Sequence, residues 1–131
     1  MFAKKKQPPI RSLIAHGSEI RGNIKFTDGL RIDGEVWGDV IAVTGCPSIL
    51  VISETAVVTG EIHADHVIVN GRVRGPIRTL SLLELQPKAR IDGDVHYKAL
   101  EMHLGAIIQG SLVAVLADEE KPTLKLAANN A

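Results

Sequence analysis

Aliphatic and polar residues alternate around a series of regularly spaced glycines. These glycines recur at a mean interval of about 18 residues and are Gly22, Gly38, Gly60, Gly75, Gly93 and Gly110. The residue two positions before each glycine is aliphatic: Ile20, Val36, Val58, Val73, Ile91 and Ile108. The residue two positions after it is aliphatic as well: Ile24, Val40, Ile62, Ile77, Val95 and Leu112. Because the positions between them are mostly polar, the pattern predicts half-buried β-strands that meet at each glycine.

A second aliphatic pattern lies upstream of each glycine. It covers residues 30–32, 50–52, 67–69, 83–85 and 100–102, with 12–14 as a weaker first copy. A column of small residues follows it, with a one-residue shift in two copies: Ser18, Gly34, Ala56, Gly71, Ala89 and Ala106. Each unit therefore predicts about three short strands with small residues or glycines at the corners.

A unit of this length cannot bury its own apolar face, whereas stacked copies bury a continuous core. The sequence therefore predicts an all-β chain folded as a parallel β-helix, or β-solenoid, of about six coils. At about 4.8 Å per coil the core would be on the order of 30 Å long. The intervals between glycines vary, which favours a right-handed β-helix over the left-handed form with its strict six-residue rhythm. The longest interval contains TGCPS at 44–48, which predicts a turn with Cys46 as an ordinary loop residue.

Charge and cysteine content narrow the possible functions. Fifteen basic and fifteen acidic residues balance, which argues against a nucleic-acid partner. A single cysteine excludes an internal disulfide framework and suits a reducing compartment. The N-terminus lacks the apolar segment of a signal peptide, and the longest apolar runs are too short to span a bilayer. These features predict a cytoplasmic location.

The complete array resembles a bactofilin. The resemblance rests on a short apolar and basic N-terminal tail, about six coils, a polar C-terminal tail, and repeated steps such as DGEV at 33, NGRV at 70 and DGDV at 92. It implies a tail at 1–11, a right-handed β-helix polymerisation domain at 12–116 and a disordered tail at 117–131. It also implies a bacterial cytoskeletal scaffold that needs no nucleotide or other cofactor, polymerises with itself, binds the inner face of the cytoplasmic membrane and recruits cell-shape or envelope factors.

The two open ends of a β-solenoid are candidate assembly surfaces, because uncapped strand edges recruit another chain. The candidate residues of the first coil are Leu13, Ile14, Ile20, Ile24 and Phe26. Those of the last coil are Leu100, Met102, Ile107, Ile108, Leu112, Val113 and Val115. End-to-end stacking of identical rods does not close, so it predicts filaments. The alternative is that both ends are ordinary packed coils shielded by the tails.

The first six residues combine two apolar side chains with three lysines. Met1 and Phe2 could enter the lipid boundary while Lys4, Lys5 and Lys6 face anionic headgroups. This pattern predicts a weak membrane anchor. The alternative is a solvated N-terminus of no particular function.

Metal and calcium sites are not predicted. His63 and His66 lack a third nearby ligand, and zinc sites usually need at least three. Asp39 and Asp94 are not in neighbouring coils, and Pro76 interrupts their column. No phosphate-binding loop or catalytic arrangement stands out, so the chain is not predicted to be an enzyme.

Three apolar residues at outward positions form a candidate partner patch: Trp37, Val51 and Ile68. Cover by the tails or by the TGCPS turn is the alternative there. The residues alone leave two other functions possible. One is a trimeric hexapeptide-type enzyme, an acyltransferase or carbonic anhydrase; the other is a monomeric binding module.

Overall fold

The computed structural model describes residues 7–115, and every regular element in that range is a β-strand. The strands are β1 Ile10–Ile14, β2 Glu19–Arg21, β3 Ile24–Phe26, β4 Asp28–Ile32, β5 Glu35–Trp37, β6 Val40–Ala42, β7 Ser48–Ile52, β8 Val57–Thr59, β9 Ile62–Val69, β10 Arg72–Arg74, β11 Ile77–Leu85, β12 Arg90–Asp92, β13 Val95–Tyr97, β14 Leu100–Met102, β15 Ile107–Gln109 and β16 Leu112–Ala114. The strands extend from residue 10 to residue 114, whereas the sequence predicted a β-helix domain over residues 12–116.

The strands form three parallel faces of a solenoid. Face A is the six-stranded sheet β2-β5-β8-β10-β12-β15. Face B contains β3, β6, the starts of β9 and β11, β13 and β16. Face C contains β1, β4, β7, the ends of β9 and β11, and β14. Because β9 and β11 each run along two faces, the sixteen strands supply three faces to each of six coils. The predicted all-β solenoid of about six coils is confirmed.

The predicted aliphatic columns are ladders in the structure. On face A, Ile20 pairs with Val36, and the ladder continues to Ile108 without a shift. On face B, the column from Ile24 to Leu112 is in register in the same way. Branched aliphatic side chains suit such strands because they pack against the same residue type in the coils above and below. The middle rungs of these ladders are buried and form the core.

The glycine column forms the corner between faces A and B. Gly60 has φ +155°, and a Cβ placed on it would lie 2.1 Å from the carbonyl oxygen of Gly38. The same contact recurs between neighbouring coils along the column. Glycine is therefore required here both for its backbone conformation and for the close approach of consecutive coils.

The polar residue after each glycine bonds to the next coil. The side chain of Asn23 accepts a hydrogen bond from the Asp39 N–H at 2.9 Å, and Asp39 accepts one from the Glu61 N–H at 2.9 Å. Asp94 accepts from the Ser111 N–H at 3.0 Å. Pro76, which has no N–H, occupies this column in the coil after Glu61. These side chains satisfy corner backbone groups, which explains the recurrent Asn and Asp beside the glycines.

The predicted turn at TGCPS is shorter than the motif. Residues 44–46 form the turn and Cys46 is exposed, whereas Ser48 begins β7 and is buried. The Ser48 N–H donates to Asp65 Oδ2 at 3.2 Å, and the Asp65 N–H donates to Ser48 Oγ at 3.0 Å. This reciprocal pair satisfies polar groups at the edge of the core.

Candidate polymerisation surfaces

Each face ends in a strand that is paired on one side only within residues 7–115. The first coil leaves one edge of β1, β2 and β3 free, and the last coil leaves one edge of β14, β15 and β16 free. A free parallel edge exposes unpaired N–H and C=O groups that another strand can satisfy. Within residues 7–115, both ends of the rod therefore expose backbone groups that a further strand could pair.

At the first coil, four of the five predicted residues lie together. Ile14, Ile20, Ile24 and Phe26 line one concavity. Ile20 is 36% exposed, while Phe26 is buried and belongs to the core of the rod itself. Leu13 is separate from this group, because it pairs with Arg31 in an outward column of face C. Its exposed side chain therefore lies at the side of the first coil.

At the last coil, four predicted residues are final rungs of inward ladders: Leu100, Met102, Ile108 and Leu112. Two belong to outward columns, since Ile107 pairs with Arg90 and Val113 pairs with His96. Val115 is half-buried, and its N–H donates to the Tyr97 carbonyl at 2.7 Å. The structure thus divides the predicted residues between the end surface and its rim.

The ladders change sharply in exposure between the middle and the ends. Val40 and Val95 are fully buried, whereas Leu112, in the same ladder, is 51% exposed. Met102 is 46% exposed, although Leu85 beneath it is fully buried. Each end rung lacks the next coil that covers every other rung, so another apolar end stacked on it would remove this surface from water.

The predicted partner patch is divided between two faces. Val51 and Ile68 pair directly on face C and are half-buried. Trp37 lies on face A, where the Arg21 guanidinium is 5.5 Å from its ring centroid. The interpretation of these three residues as one patch is not supported by this placement. Val51 and Ile68 alone form an apolar pair on the side of the rod.

His63 and His66 contact different glutamates. His63 Nε2 is 2.6 Å from Glu61 Oε2, and Arg78 lies between His63 and His96 in the neighbouring coils. His66 faces Glu84 instead, with Nε2 3.8 Å from Oε1. His63 and His66 therefore do not act as a pair.

An acidic residue just after β4, in the second coil, has a lowered pKa. Arg31 Nε lies 2.8 Å from Asp33 Oδ1. This hydrogen bond, together with one from Ser53, lowers the pKa of Asp33 below its ordinary value. The ion pair lies within one coil, at the corner that follows β4.

The segment before β1 lies along the side of the rod. Gln7 and Pro8 line a groove with Ser48 and His66, and Gln7 Oε1 is 3.3 Å from His66 Nδ1. The predicted membrane-binding residues, Met1, Phe2 and the three lysines at 4–6, lie outside the described residues, as does the predicted tail at 117–131. Within residues 7–115, no helix is long and apolar enough to cross a membrane.

Sequence analysis missed one side-chain cluster on face C. Glu84, Glu101 and His103 place one ligand atom each within 4.8 Å of one another. The available signal was the match between ELQ at 84–86 and EMH at 101–103, which share a register 17 residues apart. The cluster joins side chains from two coils, so histidine spacing within one coil does not indicate it.

Comparison with known proteins agrees with this architecture. The family model described as "Bactofilin: Polymer-forming cytoskeletal" matches residues 12–113. The solid-state NMR structure of the cytoskeletal bactofilin BacA is 32% identical, covers 80% of this chain and 96% of its own, and superposes with a TM-score of 0.69. The cryo-EM reconstruction of Thermus thermophilus bactofilin double helical filaments is 28% identical, covers 80% of this chain and 100% of its own, and has a TM-score of 0.67. The comparison with curated proteins gives no significant match.

The family match spans most of the chain, and it coincides with the stacked coils and their two uncapped ends. The chain therefore belongs to the bactofilin family of polymer-forming cytoskeletal proteins.

Proposed function

We propose that this protein is a non-catalytic scaffold that polymerises end to end without nucleotide, on the cytoplasmic face of the bacterial membrane. The observation that carries the proposal is the exposure of apolar ladder ends at both termini of an otherwise buried core. The filament of the Thermus thermophilus relative supports the same mode of action. In this proposal, assembly and recruitment replace any chemical step.

Joining the ends extends both the ladders and the hydrogen-bonded sheets. A second rod that docks on the last coil covers Leu112 and Met102 and pairs the free edge of β16. The joint leaves another open end on each new copy, so growth continues into a filament rather than stopping at a closed ring.

Membrane attachment is proposed for the N-terminal residues 1–6. Gln7 and Pro8 lie beside His66 on the side of the rod. Residues 1–6 are therefore attached at the side of the rod, next to His66. Each lysine near an anionic leaflet contributes about 1 kcal/mol, so one tail binds weakly. A filament with many tails gains avidity without any new contact.

Recruitment of cell-shape or envelope factors is proposed for the side of the filament. Val51 and Ile68 form an apolar pair that end-to-end assembly leaves accessible. Partners that bind there would be arrayed at the spacing of the subunits. A pair of half-buried aliphatic residues suits a small apolar contact on such a partner.

Electron microscopy of the purified full chain, in buffer with a chelator and without nucleotide, tests the assembly proposal. Filaments are the expected result. Compact trimers would favour the hexapeptide-type enzyme, and single rods would favour a monomeric binding module; either result contradicts the proposal.

Co-sedimentation with anionic liposomes tests the membrane proposal separately. Filaments of the Phe2→Ser variant are expected to bind fewer liposomes than wild-type filaments, since the variant loses its aromatic contact with the lipid boundary. A Trp37→Ser variant is a matched control, because it also removes an exposed aromatic side chain but from face A of the rod, away from both ends. Equal binding by the Phe2→Ser variant and the wild type would exclude Phe2 from the anchor.

A further inference from the structure

The last two coils carry a cluster of carboxylates and imidazoles on face C. Glu84 in β11 pairs directly with Glu101 in β14. His103 follows Glu101 by two residues, so the two side chains lie on the same face. His66, from the preceding coil, lies on the other side of Glu84.

The distances in this cluster are too long for hydrogen bonds but suit a shared ion. His103 Nε2 is 3.5 Å from Glu101 Oε2 and 3.9 Å from Glu84 Oε2. Direct N–H···O hydrogen bonds are usually 2.7–3.2 Å long. Bonds of about 2.1 Å to a tetrahedral zinc ion place its ligand atoms roughly 3.4 Å apart. His103 and Glu101 therefore have nearly the spacing of a coordination shell, and the ligand atoms of all three side chains lie within 4.8 Å of one another.

The charges in the cluster also favour a cation. Carboxylates directly opposite each other on neighbouring strands repel. Among the described residues, the ion-pair partners of Glu84 and Glu101 are histidines only. A bound divalent ion would neutralise this repulsion between the fifth and sixth coils.

Two polar side chains lie beside the cluster, and one of them has the placement of an outer-shell residue. The Gln86 side-chain amide donates to Glu84 Oε2 at 2.7 Å and holds that carboxylate in place. His66 Nδ1 is within 3.3 Å of Gln7 Oε1, which accepts from it in the tautomer that leaves Nε2 unprotonated. That Nε2 atom is buried and has no hydrogen-bond partner in the described part of the chain, although it faces Glu84. Hydrogen bonds that orient ligands in this way are typical of metal sites.

We propose that Glu84, Glu101 and His103 bind a divalent transition-metal ion of the zinc class. Two carboxylate oxygens and one imidazole nitrogen are ligands that zinc accepts, and the exposure of Glu101 and His103 leaves a fourth position open to water. Gln86 positions Glu84, and the unprotonated Nε2 of His66 faces the same carboxylate. The ion clamps the last coil to the one before it, next to the surface proposed for assembly.

Isothermal titration of the untagged full chain with zinc chloride tests this site. Wild-type protein is expected to bind one ion per chain. Glu101→Gln and His103→Ala are expected to lower the affinity at least tenfold, and Gln86→Ala about tenfold, as outer-shell changes typically do. Substitution of cobalt for zinc should give visible absorption bands that disappear in His103→Ala.

His63→Ala is the matched control, because His63 is also a surface histidine within contact distance of a glutamate. It is expected to bind zinc as tightly as wild type. Absence of saturable binding to wild type, or equal weakening by His63→Ala and His103→Ala, would overturn the proposal. Circular dichroism checks that each variant keeps its strands. The titration measures zinc affinity whether or not the chain forms filaments.

Discussion

Leu112→Arg is expected to abolish end-to-end assembly while leaving the single rod folded. Leu112 is the last rung of a face B ladder and is 51% exposed. In a filament this side chain would be covered by an end coil of another copy, as Val95 is covered by Leu112 within the rod. The substitution therefore places a charge at the centre of the proposed joint.

The expected loss of association free energy follows from the burial of Leu112 in the joint. Full burial of a leucine side chain contributes about 1.5–3 kcal/mol, so covering the exposed half of Leu112 contributes about 1 kcal/mol. An unpaired charge enclosed in an apolar joint costs several kcal/mol more. A combined loss of about 4 kcal/mol lowers the association constant roughly a thousandfold. The single rod loses only the buried half of one end side chain, about 1 kcal/mol of folding stability.

Sedimentation over a range of protein concentrations measures the effect, and thermal unfolding confirms that the rod remains folded. Leu80→Arg is the matched control, because Leu80 is 57% exposed but lies on the side of the rod, in the middle of β11. Wild type and Leu80→Arg are expected to pellet, and Leu112→Arg to remain in the supernatant. Pelleting of Leu112→Arg at the wild-type concentration would refute the end-to-end joint at the last coil.

Two further predictions concern the rod itself. Gly60→Ala is expected to lower the free energy of unfolding by more than about 3 kcal/mol, because its Cβ would meet the Gly38 carbonyl. Gly45→Ala, where a Cβ meets nothing within 4 Å, should cost only the left-handed strain of about 1–2 kcal/mol. Similar denaturation midpoints for the two variants would contradict the packing of the corner. Asp33→Asn should destabilise the rod at neutral pH. Because its pKa is lowered in the folded state, the wild-type advantage should vanish as the pH falls below about 4; a constant difference down to acid pH would contradict this role.

The positions of most end-coil side chains were predictable because the ladders are periodic. Alignment of the glycines in the sequence places Ile20 beneath Val36 and Leu112 at the end of its ladder, as in the structure. A strand shifted by one residue would turn its aliphatic side chains to solvent, so alternation with a period of two determines the register. Sequence reasoning was less accurate for Leu13 and Val113, which it assigned to the ends but which lie in outward columns.

The sequence by itself determined the solenoid, its six coils, the glycine corners and the identity of the end rungs, because each depends on local alternation repeated along the chain. Only the tertiary structure decided which side chains meet across coils. Glu84, Glu101 and His103 lie close together because β11 pairs with β14 in this register and because their side chains point toward one another. The separation of Trp37 from Val51, and the position of Gln7 beside His66, likewise depend on which face each segment joins. Such contacts connect residues that are distant in sequence, so no local pattern specifies them.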